Sequence, residues 1–233
     1  MRKEDRKQIV FAVLRLMLVG LFLCCVVVCE AQNEAALRDS LRQAADQLTF
    51  HPDSIELRMD KARWNMLLKQ WDYAKAEYDY VLDRMPNHFD ARRYRAYANE
   101  QMGRYTFARL DYDWALRLRS GDLSAMMGMA LLLQKMQHYT EALDMVNRLV
   151  NAHPEAAEAY AVRAGIEKDR EMFDLAVYDF GEAIKRDETN KDYLLNRLEL
   201  LVKLNRKEEA DSDIKRLVQL GMPRPALKKY MLK

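Results

Sequence analysis

Ser212 and Lys215 stand three residues apart, a spacing at which a lysine amine can take the proton of a serine hydroxyl and make it a nucleophile. The pair lacks the companion motifs of enzymes built on it and falls inside an expected helix, so it is read as chance. Four histidines, His51, His88, His138 and His153, offer ring nitrogens for metal binding or proton transfer. No two share the helical spacing of a ligand pair, and His51 and His153 sit at equivalent unit boundaries, so all four are expected in solvent-exposed turns. Cys24, Cys25 and Cys29 lie in one apolar tract, which leaves no thiol and no disulfide beyond it. Val28 before Cys29 is branched where lipid attachment needs a small residue, so no lipid anchor is expected. Phosphate-cradling glycine loops, His-Glu-x-x-His and paired Cys-x-x-Cys are missing. The expectation is a chain that is not an enzyme, with no cofactor and no metal.

Charge narrows the partners. The first 31 residues hold five of the 38 basic and three of the 36 acidic side chains, so the remainder carries 33 of each sign. Nucleic acid is not an expected partner, because phosphate binding needs a concentrated basic excess. The densest basic patch beyond the leader is Arg92, Arg93 and Arg95, read as a solvated helix face with an acidic ligand as the sharper alternative.

The elements that would position these groups follow from a period. Ala74, Ala108, Ala142, Ala176 and Ala210 are separated by 34 residues each, and Ala62, Ala96, Ala130 and Ala164, closed by Leu198, keep the same step. So do Trp71, Tyr105, Tyr139 and Phe173, ended by Lys207, and Tyr78, Tyr112, Val146, Phe180 and Ile214. Apolar residues recur at helical spacing within each unit and never alternate, which predicts two helices per unit and no strands. The rings are expected in the core, because they keep register. Alanine lets two helix backbones approach closely, and the aromatic four residues later lies on the same helical face. Gly103 can take the positive φ that ends a helix. Pro52, Pro86 and Pro154 stop one helix before the next begins.

These columns resemble the tetratricopeptide repeat family over residues 55–222, as five units at 55–88, 89–122, 123–156, 157–190 and 191–222. The chain departs from the family pattern in placing Arg58, Arg92, Met126, Tyr160 and Leu194 at the early bulky position, and in the fifth unit's lost aromatic and proline. The resemblance implies an all-α, right-handed solenoid of antiparallel helix pairs, with capping helices at 32–54 and 223–233. It also implies a binding face on the concave side, formed by the first helices. The places there are Glu56, Met59, Arg63, Met66; Asp90, Arg93, Tyr97, Glu100; Ser124, Met127, Leu131, Gln134; Glu158, Ala161, Gly165, Lys168; and Asp192, Leu195, Glu199, Val202. Met59, Arg63, Met66, Arg93, Tyr97, Glu100, Met127, Leu131 and Gln134 are the candidate partner-binding residues, with packing against the adjacent repeat as the alternative for Met127 and Leu131. The carboxylate-clamp subgroup is not expected, since its places hold Met59, Arg63 and Gly128.

Residues 1–31 form a separate segment. Arg2, Lys3, Arg6, Lys7 and Arg15 precede the fourteen-residue apolar run Leu16 to Cys29, and Ala31 offers a small-residue exit. The run is short of the roughly 20 residues that span a bilayer, so an export signal cleaved after Ala31 is expected. The alternative is an uncleaved anchor over Ile9 to Cys29, with Arg15 snorkelling to the interface. The expected function is a non-catalytic scaffold of the cell envelope, periplasmic, that takes a protein or peptide segment in its groove. The alternative is a self-assembling subunit, a homo-oligomer, or an assembly factor held at the inner membrane.

Overall fold

The computed structural model describes residues 33–231, and every regular element among them is a helix. The expected leader, 1–31, lies outside the described residues. Helix α1 is described over 33–50; there follow α2 (Ile55–Leu67), α3 (Trp71–Arg84), α4 (Phe89–Gln101), α5 (Tyr105–Leu118), α6 (Leu123–Lys135) and α7 (Tyr139–Ala152). Then come α8 (Ala157–Asp169), α9 (Phe173–Arg186), α10 (Lys191–Lys203), α11 (Lys207–Gln219), α12 (Arg224–Leu227) and a 3-10 turn at Lys228–Tyr230. No helix among the described residues is long and apolar enough to cross a membrane. Two compact units divide the chain within α4, the first ending at Ala91 and the second beginning at Arg92.

The turn inside each helix pair is one device used five times. Lys69, Gly103, Gln137, Glu171 and Asn205 all take positive φ, between 57° and 71°. The next residue's N–H reaches back five positions, from Gln70 to Asn65, Arg104 to Asn99, His138 to Leu133, Met172 to Glu167 and Arg206 to Leu201, at 2.8–2.9 Å. This closes orphan carbonyls at the helix end in a Schellman motif. Only Gly103 takes the left-handed conformation without cost; at the other four a side chain costs about 1 kcal/mol, offset by the bonds closed. Three of the first helices, α2, α6 and α10, begin at side-chain caps, whereas α8 begins at Ala156 without one. Ser54 accepts from Leu57 N–H, Asp122 from Ala125 N–H, and Asn190 from Asp192 and Tyr193 N–H. His88, expected as a solvated turn residue, is half-buried and Nδ1 accepts from Ala91 N–H at 3.2 Å.

In the first unit Ala62, Ala74, Tyr78, Val81, Leu82 and Ala91 form the core, with Met59 and Met66 packed on it. In the second, Ala96, Ala108, Ala130, Ala142, Ala164 and Ala176 have no exposed surface, which lets α5 to α11 pack as successive helix pairs. Leu227 of α12 closes the last cluster, against Leu201, Leu217 and their neighbours. The rings of Tyr105, Tyr139 and Phe173 are half-buried rather than core. Arg170 lies 4.6 Å over Tyr139 and Lys203 3.8 Å over Phe173, so each ring keeps one face for a cation.

A further column joins the two helices of a pair. Lys61 pairs with Glu77 at 2.6 Å, Arg95 with Asp111 at 2.6 Å, Arg163 with Asp179 at 2.5 Å, and Arg197 donates from Nε to Asp213 at 2.9 Å. Each acid is buried, and each partner stands sixteen residues before it. In α6 and α7 the same places hold Met129 and Met145, which share one apolar cluster.

Candidate binding face

Residues at i, i+3, i+7 and i+10 of a helix share a face, so the first helices present their predicted stripes together within each unit. In the first unit, Met59 and Met66 are half-buried against the core, and Arg63 is exposed with Asp60 at 3.5 Å. In the second, Tyr97 on α4 is 42 % exposed and Leu131 on α6 is 37 % exposed. Met127 is half-buried in the cluster of Met126, Leu149 and Tyr160. The next places along the face are small: Ala161 is half-buried, and nothing lies within 4 Å of a Cβ added at Gly165. The face is therefore apolar in its middle and open at Gly165.

Its edges are polar and unlike each other. Glu158 and Asp192 are exposed near the starts of α8 and α10. Along the other edge the side chains link consecutive first helices. Lys135 donates to Glu100 at 2.6 Å, Gln134 to Asp169 at 2.5 Å, and Lys168 to Glu199 at 2.5 Å. These links fix the spacing of neighbouring pairs and satisfy the edge internally.

Three expectations are corrected here. Glu100, expected on the rim, is 6 % exposed and also accepts from the Tyr112 hydroxyl at 3.4 Å, so its carboxylate faces inward. Burial and then the Glu100 carboxylate push the Tyr112 hydroxyl far above its ordinary range, keeping it a neutral donor. Lys135 is raised as well, first by its hydrogen bond to Glu100. Gly128 leaves room for that tyrosine, because a Cβ there would stand 2.6 Å from the Tyr112 ring and hydroxyl. Second, Gln134 is engaged with Asp169. Third, the arginine cluster is not a solvated face. Arg92 and Arg95 both donate to Asp111, and Arg93 lies 4.1 Å over the Tyr94 ring.

Three of the four histidines have partners in the fold, His88 among them, and His51 is exposed. His138 contacts Arg109 and Glu141, and His153 lies 2.7 Å from the Gly121 carbonyl. Among the described residues no group of three His, Cys, Asp or Glu is placed to hold a metal ion. A cavity of about 270 Å³ beside α10 is lined by Lys168, Asp169, Glu171, Phe173, Glu199, Leu200 and Lys203, in which Lys168 is held by Glu199 and Lys203 lies over the Phe173 ring. The arrangement can bind by shape and apolar contact.

No protein-family model matches the chain, and no curated protein sequence does. Solved structures do. A tetratricopeptide repeat protein from Parabacteroides merdae is similar over 86 % of this chain and 78 % of its own, at 22 % identity and TM-score 0.68. MamA from Desulfovibrio magneticus matches over 75 % of this chain and 97 % of its own, at 17 % identity and TM-score 0.59. YrrB, described as a tetratricopeptide repeat protein with an unusual peptide-binding site, matches over 76 % and 91 %, at 16 % identity and TM-score 0.55. At these identities the likeness is one of fold, and the fold is tetratricopeptide-like.

Proposed function

We propose that the chain is a non-catalytic interaction scaffold that takes an extended or helical segment of another protein on the first-helix face. The observation that carries this reading is the pair Tyr97 and Leu131, exposed on α4 and α6 beside the open floor at Gly165 and flanked by an edge whose polar groups are already tied to one another. Exposed apolar side chains flanked by satisfied polar groups cost little to desolvate, which suits an interface. The peptide site named for YrrB supports a peptide-binding use of this fold. The leader adds a place: export to the periplasm, or retention at the inner membrane if it is uncut, which fractionation and amino-terminal sequencing of the native protein distinguish.

Affinity capture with the full chain tests the face. Tyr97→Ala or Leu131→Ala should weaken capture of the recovered partner by about 2 kcal/mol each, whereas Arg93→Ala should mainly change its salt dependence. Undiminished capture by both apolar variants, with loss on Arg109→Glu, would move the site to the second helices.

A further inference from the structure

Four large apolar side chains on α5 are held out of the core. Phe107 and Leu110 are each 61 % exposed, Trp114 39 % and Leu118 36 %. Their spacing of three, four and four residues sets them in one stripe along the helix. Repeat packing does not require apolar residues there, because one repeat on α7 has Glu141, Asp144, Arg148 and Ala152 in the same register, and α11 has Glu209, Ser212 and Arg216. One flank of the stripe carries Asp113 and Arg117, opposite in sign and one turn apart. Neither side chain makes a hydrogen bond or ion pair among the described residues.

We infer that this stripe pairs with the same stripe of a second copy of the chain, antiparallel about a two-fold axis at the level of Ala115. A two-fold axis reverses the order of residues along the facing helix, so position 113 of each copy stands level with position 117 of the other. The unpaired Asp113 and Arg117 thereby become two interchain ion pairs. The same operation seats Leu118 of one copy between Leu110 and Trp114 of the other, so these three residues cover one another, while Phe107 stands level with position 123, beyond the end of the facing α5. An unrelated partner could cover the apolar atoms, but a second copy supplies the opposite charges by symmetry.

The area sets the strength. Leu110, Trp114 and Leu118 expose on the order of 300 Å² per copy, so about 600 Å² is covered in all, about half of the roughly 1,200 Å² at which stable complexes begin. The pairing is weak and reversible, and it operates where the chain is locally concentrated.

Charge exchange tests this in sedimentation velocity of the full chain over a wide concentration range. The parent should show reversible association. Asp113→Arg and Arg117→Asp should each weaken it tenfold or more, since each puts like charges opposite one another. An equal mixture of the two variants should recover it, because the flank of one then complements the flank of the other. Leu110→Glu should weaken association without recovery in any mixture. All variants carry the same leader, so leader-driven association cancels between them, and partner capture through Tyr97 and Leu131 should be unchanged. Single variants that associate as the parent does, or a mixture that stays as weak as its components, would overturn the pairing. So would flotation of the parent with anionic phospholipid vesicles that Leu110→Glu abolishes and the charge variants leave intact, which would assign the stripe to a lipid surface.

Discussion

The helix pair α6 and α7 and the pair α8 and α9 put different chemistry into the same three places. In the first, Met129, Leu133 and Met145 meet inside the pair; in the second, Arg163, Glu167 and Asp179 do. The backbone turn is the same in both, closed by the N–H of His138 or Met172 at 2.9 Å. The position between the helices therefore selects for a contact of suitable length, and either two flexible thioethers or one forked ion pair supplies it. What differs is sensitivity. The sulfur pair fails gradually when trimmed, whereas a buried ion pair that loses one partner leaves a charge in a medium that cannot solvate it.

The ionic site also holds a proton. Glu167 is buried, with Oε2 lacking any partner, and burial followed by the neighbouring Asp179 raises it from 4.5 to about 8. Its place is that of Asn99, whose amide donates to Asp111 at 3.4 Å. A protonated carboxyl donates as the amide does, so Glu167 imitates an asparagine while it stays neutral.

The largest effect on this comparison should come from Asp179→Ala, which strands Arg163 and should cost about 3 kcal/mol in urea unfolding. An unchanged midpoint would mean that solvent, not Asp179, balances Arg163. Next is the proton. Folded Glu167 is raised, so its stabilising contribution is complete below pH 4.5 and is lost as pH rises to about 8, where the unfolded chain has long released the proton. Glu167→Gln should remove that slope and gain about 2 kcal/mol at pH 8, once screening by nearby solvent is allowed for. Parallel pH profiles for parent and variant would place the proton elsewhere.

A smaller change is expected from transplanting the whole set. Arg163→Met, Glu167→Leu and Asp179→Met together should leave stability within about 1.5 kcal/mol of the parent, because an apolar replacement of similar volume offsets the lost pair. A loss as large as that of Asp179→Ala alone would show that the two sites are not interchangeable. The smallest change should come from Gly165→Ala on α8. Open space receives the new Cβ, so the helix gains about 0.5 to 1 kcal/mol in a melting experiment while partner capture falls. Gain of stability with unchanged capture would remove Gly165 from the binding face.

Much of the fold was legible in the chain itself. Ala142 and its column could be read because close approach of two helix backbones demands a small residue at a fixed place in every unit. The ion-pair column was open to the same reading, since Lys61, Arg95, Arg163 and Arg197 keep the step, but Met129 interrupts it and charged residues make up about a third of the chain. The left-handed turns were hidden for a similar reason. Only Gly103 announces positive φ by its type, and Lys69, Gln137, Glu171 and Asn205 do not.

The sequence by itself determined the period, the helix pairs and the residues that would share a face, because these depend on spacing along one helix and on backbone stereochemistry. Only the tertiary structure decided which of those residues meet solvent. Glu100 turned inward to Lys135 and Tyr112, the arginines closed on Asp111, and Phe107 and Leu110 stayed outside. Those outcomes depend on partners twelve to thirty-five residues away, and a side chain's type does not say which neighbour packing will bring to it.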